Sequence, residues 1–321
     1  MGSLSQASRR FGSLAAVILL LGACSTAEYG QPVKDFATAT GEADTALAQL
    51  NTQVTQSYGR VIENSILAHR SFVKATSGEC LTTSTRCRLE ITGANGQKEP
   101  YPPEPALARM SVLMAQINRY AGSLKALVEA DTAAQAKTQV NAALGSVQNL
   151  AETIAGLNGP PAQPVPKFAT PVGAAVNWVI GQYVDHVKFS GLQQATAAAR
   201  PVVRDAGNLF TTVSTFATLG PQADLADAVS SATDAFRTSP TKANLTALTQ
   251  SAARYDALLT ATPPDLFKRM VAAHDALAAS LQGENVTLAD AIARIDVFAA
   301  EAKRLAKVLK DLQAIAPKEG G

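Results

Sequence analysis

Three cysteines and three histidines carry much of the reactive chemistry in this sequence, and their spacing limits what they can do. Cys80 and Cys87 have six residues between them. A dithiol redox centre usually spaces its thiols by two, and a zinc site needs two further ligands that this neighbourhood lacks. In an exported chain the pair reads as a structural disulfide worth about 2–3 kcal/mol. His69, His186 and His274 are far apart, and none sits in a His-Glu-x-x-His pattern or another metal spacing. Asp185-His186 and His274-Asp275 place acid beside imidazole, but adjacent residues on a helix do not face each other. His69 falls on an apolar stripe, where a core histidine bonded to a neighbour is commoner than a ligand. There is no Gly-x-Ser-x-Gly elbow and no phosphate-binding glycine loop. The expectation is therefore a protein that is not an enzyme, with no cofactor, metal or catalytic residues.

Cys24 stands in a different setting. Arg9 and Arg10 are the only charges in residues 1–23, Leu14 to Leu21 is wholly apolar, and Gly22 and Ala23 lead into the cysteine. A positive start, a short apolar core and small residues before a cleavage point mark a secretory signal. The apolar run is about half the length a membrane-spanning helix needs. Leu21-Gly22-Ala23-Cys24 resembles the lipobox of bacterial lipoprotein precursors, and the resemblance covers residues 1–25. It implies diacylglycerol transfer to the Cys24 thiol, cleavage before Cys24 and acylation of the new amino group. Membrane lipid would then be a partner through the acyl chains. Each buried methylene contributes about 0.8 kcal/mol, so two or three chains anchor firmly. The resemblance also implies, through Ser25 after the cysteine, an outer-membrane location facing the periplasm of a Gram-negative cell. Residues 24–34 read as the lipidated cysteine and a polar tether.

The chain has 28 basic and 26 acidic side chains, so losing Arg9 and Arg10 leaves the mature body formally neutral. That balance gives no electrostatic case for nucleic acid or anionic lipid.

The elements that must position these groups are helices almost throughout. Alanine, leucine, glutamine and lysine are good helix formers, and long stretches repeat apolar residues three and four apart. The first helix is expected over Asp35 to Ala75, with a stripe running from Leu47 through Ile66 and His69 to Phe72 and Val73. Residues 77–103 break the plan. Cys87 to Thr92 alternates in strand fashion and Gly93 to Gly96 supplies turn chemistry, so a small disulfide-tied β-hairpin is expected. Helices follow over about 104–130, with Met110 and Met114 as core fillers, and over 132–157, with Asp131 as its cap. Residues 158–171 hold five prolines and form a stiff connector. A second long helix over 171–218 should kink or split at Pro201. Thr170-Pro171, Gly220-Pro221, Ser239-Pro240 and Thr262-Pro263 each read as a cap before a first-turn proline, and Thr287 with Asp290 as a capping-box variant. The last helix is expected over 288–315.

The fold class is therefore all-α: an elongated antiparallel bundle of about eight helices with one hairpin insertion. Residues 35–157 form the N-terminal half and 172–316 the C-terminal half, in one bundle or two. Two surfaces could bind. Trp178, Tyr183 and Phe189, among small residues, could line a pocket for a small apolar ligand or lipid, or pack as core. The hairpin exposes Arg86, Arg88 and Tyr101 and could carry recognition of an envelope protein, or serve as a stapled connector. The expected function is a non-catalytic cell-envelope scaffold, adaptor or accessory subunit, with a ligand-binding bundle as the alternative.

Overall fold

The structure, a computed structural model, describes residues 26–69, 72–75, 89–92, 98–101, 108–158, 180–217, 219–260 and 263–315. Cys24, Cys80, Cys87, Arg86, Arg88, Trp178 and the Thr170-Pro171 start lie outside the described residues.

The protein is an all-α bundle. Its elements in chain order are α1 (Thr26–His69), the short strands β1 (Phe72–Ala75), β2 (Leu89–Thr92) and β3 (Lys98–Tyr101), then α2 (Ala108–Val128), α3 (Ala133–Asn158), α4 (Ile180–Ala217), α5 (Leu219–Thr238), α6 (Lys242–Thr260), α7 (Pro263–Leu281) and α8 (Leu288–Ile315). Six helices close a ring, each against the next: α1 on α2, α2 on α3, α3 on α4, α4 on α7, α7 on α8, and α8 back on α1. Helices from both sides of 158–171 share a single core, in which Phe36, Leu50, Ile117, Leu150, Phe210, Phe267 and Phe298 are buried.

α1 is 44 residues long, about 66 Å. It begins earlier than expected. Residues 26–34 are its opening turns and not a tether, because Tyr29, Val33 and Phe36 continue the apolar stripe into the core. Pro32 forgoes one backbone bond inside this helix without ending it. α1 also ends earlier, at His69. Phe72 and Val73 belong to β1 and pair with Thr92 and Ile91 of β2. In place of a lone hairpin, β2 and β3 pair antiparallel and β1 adds a third strand on β2, in the order β1-β2-β3; Cys80 and Cys87, its expected disulfide tie, lie outside the described residues. Aromatic and β-branched residues favour the extended state over a further helical turn.

The bundle is also not uniformly antiparallel. α1 and α8 run side by side in one direction, as the pairings of Phe36 with Phe298 and Glu42 with Lys303 require. The long connection 159–179 lets α4 start at the same end as α3, since Lys137 lies over Tyr183 and Gly191 lies against Val140.

The helix ends show the local chemistry. Thr287 Oγ1 accepts from Asp290 N at 3.1 Å while Asp290 Oδ2 accepts from Thr287 N at 3.1 Å, a reciprocal box that opens α8. α3 opens at Thr132 and not Asp131: Gln135 N donates to Thr132 Oγ1, and Gln135 Oε1 accepts from Thr132 N. α6 opens at Thr241, whose hydroxyl accepts from Asn244 N, so Ser239-Pro240 precedes the cap. α4 runs through Pro201 unbroken, with the proline exposed. Past the end of α7 at Leu281, Gly283 turns the chain with a φ of 67° that suits glycine, while Glu284 N reaches back to Ala279 O at 2.9 Å.

Two glycines let α4 sit close to its neighbours. A Cβ on Gly207 would lie 2.2 Å from Val271 Cγ2 of α7, and one on Gly191 would lie 2.3 Å from Val140 Cγ2 of α3.

Candidate functional site

A buried polar pair inside the bundle joins α2 to α7. Tyr120 and His274 are both fully buried, and the Tyr120 hydroxyl lies 2.9 Å from His274 Nε2. The imidazole sits between two rings, 5.6 Å from Tyr120 and 5.8 Å from Phe36 of α1. Burial lowers the His274 pKa to about 4; Asp275 opposes that shift while Arg200 and Arg204 add to it. Burial also pushes the Tyr120 phenol well above its ordinary value. At neutral pH both groups are therefore uncharged. His274 Nδ1 has no hydrogen-bond partner among the described residues. The pair has no exposed surface, and it links α2 to α7 across the core although the two helices are not neighbours in the ring.

A charged seam runs outside this pair, between α4 and α7. Asp275 takes Arg204 Nε at 2.8 Å, and Arg200 reaches Asp275 at 3.4 Å and Glu284 at 2.8 Å. Lower on the same seam, Gln193 Nε2 donates to Leu281 O and Gln282 Nε2 donates to Gln193 O. At this end of the bundle α1 is locked in place. Thr26 Oγ1 donates to Asp185 Oδ1 of α4 at 3.0 Å, and the Tyr29 hydroxyl lies 3.1 Å from Ser280 O of α7.

At the other end, α5 and α6 form a helical arm. Its root is fixed. Arg60 of α1 donates to Asp224 at 2.7 Å, Arg304 of α8 donates to Thr260 O at 2.6 Å, and Leu225 and Leu258 are buried. Beyond the root, no side chain from 226 to 257 is buried.

The expected site residues fall as follows. Tyr183 is half-buried, with Lys137 Nζ 6.0 Å from its ring centroid. Phe189 is half-buried against Tyr29, ring centroids 5.8 Å apart. Six residues apart on one helix, the two point about 120° from each other, and they share no ring contact. They do not form one pocket wall. Tyr101 ends β3 opposite Leu89. His186 is exposed near the start of α4 and does not join His274. Met110 and Met114 are buried core residues. Among the described residues no group of histidine, cysteine and carboxylate side chains could hold a metal, and no helix is long and apolar enough to cross a membrane.

The sequence reading missed the Tyr120–His274 pair. The signal was present: Tyr120 continues the stripe of Leu113, Ile117 and Leu124, and His274 lies between Met270 and Leu277. His274 is a buried core histidine, while the side chain of His69, where a core histidine was expected, lies outside the described residues.

The chain matches no family model, no curated protein and no solved structure.

Proposed function

We propose that the chain is a non-catalytic lipoprotein of the cell envelope, acylated at Cys24, and that its helical bundle acts as a scaffold for another envelope protein. The observation that supports this best is the start of α1. The helix begins at Thr26, two positions after Cys24, and Thr26 and Tyr29 tie it to α4 and α7. An acylated Cys24 would therefore lie two positions from a helix end that is tied into the bundle. The arm roots at Arg60, 34 residues along α1, or about 50 Å from that end. A rigid spacer with an anchor at one end and a projecting hairpin at the other suits a scaffold that sets a distance from the bilayer. In the same reading, Cys80 and Cys87 close a disulfide between β1 and β2, whose ends Ala75 and Leu89 pair.

Radiolabelled palmitate fed to cells expressing the full chain tests the anchor. Label should appear on the wild type, which should float with membranes, and Cys24→Ser should lose both properties. Label that persists in Cys24→Ser, or a wild type that stays with the soluble fraction, would count against the proposal. Crosslinking in intact envelopes, followed by identification of the attached protein, tests the scaffold role.

A further inference from the structure

The surface of α6 is unlike that of an ordinary solvated helix. From Ala243 to Ala253 it carries no charge for three full turns, and Leu245, Thr246, Thr249, Gln250 and Ala253 are exposed there. Soluble surfaces usually carry a quarter or more charged residues. α8 shows the contrast within this protein, exposing Arg294, Asp296, Lys303, Lys307 and Lys310. Leu245 and Leu259 of α6 are 46% and 47% exposed.

The seam between α5 and α6 is incompletely covered. Val229, Ala232 and Phe236 on α5, and Leu248, Ala252 and Tyr255 on α6, follow alternating three- and four-residue steps, the spacing of a coiled-coil core. All six are only half-buried. Two helices cannot enclose such a seam, whereas four can.

We propose that the arm is a self-association element, in which two copies of this chain pack their α5–α6 arms into a four-helix bundle. Three features select a second copy over a foreign partner. The face from 243 to 253 has no charge with which to choose an acidic or basic protein, and it meets an identical face without like-charge repulsion. The arm offers the same half-covered seam on each copy, as a two-fold interface requires. Its size also fits: α6 has 19 residues, so two helices side by side present a face of about 28 by 20 Å, the order of the ~800 Å² each partner gives to a standard interface. The proposal is independent of acylation at Cys24.

The test is the mass of the full chain in detergent, by light scattering, for the wild type and two variants. Leu245→Glu puts a charge at an exposed position about 50° around α6 from the seam centre, on its uncharged stretch, and Val297→Glu puts one on exposed α8. The wild type should have twice the chain mass at micromolar concentration, Val297→Glu should match it, and Leu245→Glu should weaken the dimer at least tenfold while keeping the wild-type circular dichroism. A wild type of single-chain mass, a dimer that Leu245→Glu leaves intact, or a dimer that Val297→Glu weakens equally overturns the proposal. So does a different protein held on the arm in place of a second copy.

Discussion

His274 Nε2 of α7 lies 2.9 Å from the Tyr120 hydroxyl of α2, with both side chains sealed from solvent. A neutral imidazole and a neutral phenol thus meet inside the apolar core. Several consequences follow from burial alone.

Stability should fall as the solution is acidified through the window between about 6.5 and about 4. Burial lowers the His274 pKa to about 4, against 6.5 when the chain is unfolded. Between those values the unfolded chain binds the extra proton and the folded chain does not, so stability is full above the window and declines on moving down it. The contribution is about 1.4 kcal/mol per pH unit inside the window. Urea midpoints measured against pH should show this slope, and His274→Gln should flatten it.

Removing one member of the pair should harm more than removing both. Tyr120→Phe leaves His274 with no partner on either nitrogen and should cost about 1–3 kcal/mol. Tyr120→Phe combined with His274→Leu replaces both polar groups by apolar ones and should recover much of that loss. A double-mutant cycle by chemical denaturation measures the coupling.

The two kinds of helical glycine should respond with opposite sign. At Gly207 the added methyl would lie 2.2 Å from Val271 Cγ2, on a β-branched side chain that turns little. Overpacking of about 1–3 kcal/mol outweighs the roughly 1 kcal/mol that alanine gains in helix propensity, so Gly207→Ala should destabilise. Val271→Ala in the same chain should rescue it. Gly145 has nothing within 4 Å of its missing Cβ, so Gly145→Ala should stabilise. Thermal melts of the variants decide the signs.

Thr287→Ala removes the hydroxyl that accepts from Asp290 N at the start of α8. The expected loss is about 1 kcal/mol, the usual value of a helix N-cap, and calorimetry can read it.

The helical class and the last helix, 288–315, were legible because periodicity and caps are local signals. Thr287 and Asp290 could be read for the same reason. The ends of α1 were not. At its start, the polar look of "STAEYGQPV" hid the buried Tyr29 and Val33, and Tyr29 is covered by Phe189 of α4 and Ser280 of α7, far away in sequence. At its finish, Phe72 and Val73 fit a helical stripe equally well, and only pairing with β2 makes them strand. The cap at Thr132 lay one residue from the expected Asp131, and its Gln135 partner identifies it. The Tyr120–His274 pair was hidden because the residues are 154 apart in sequence. Nothing local says which apolar stripes will face each other.

The most direct test of the central claim is the mass of the amino-terminal peptide of the mature protein, purified from membranes and digested. The account predicts that this peptide begins at Cys24 and carries a diacylglyceryl group on the thiol and an acyl chain on the amino group. A peptide with an unmodified Cys24, or one beginning at another residue, would contradict it.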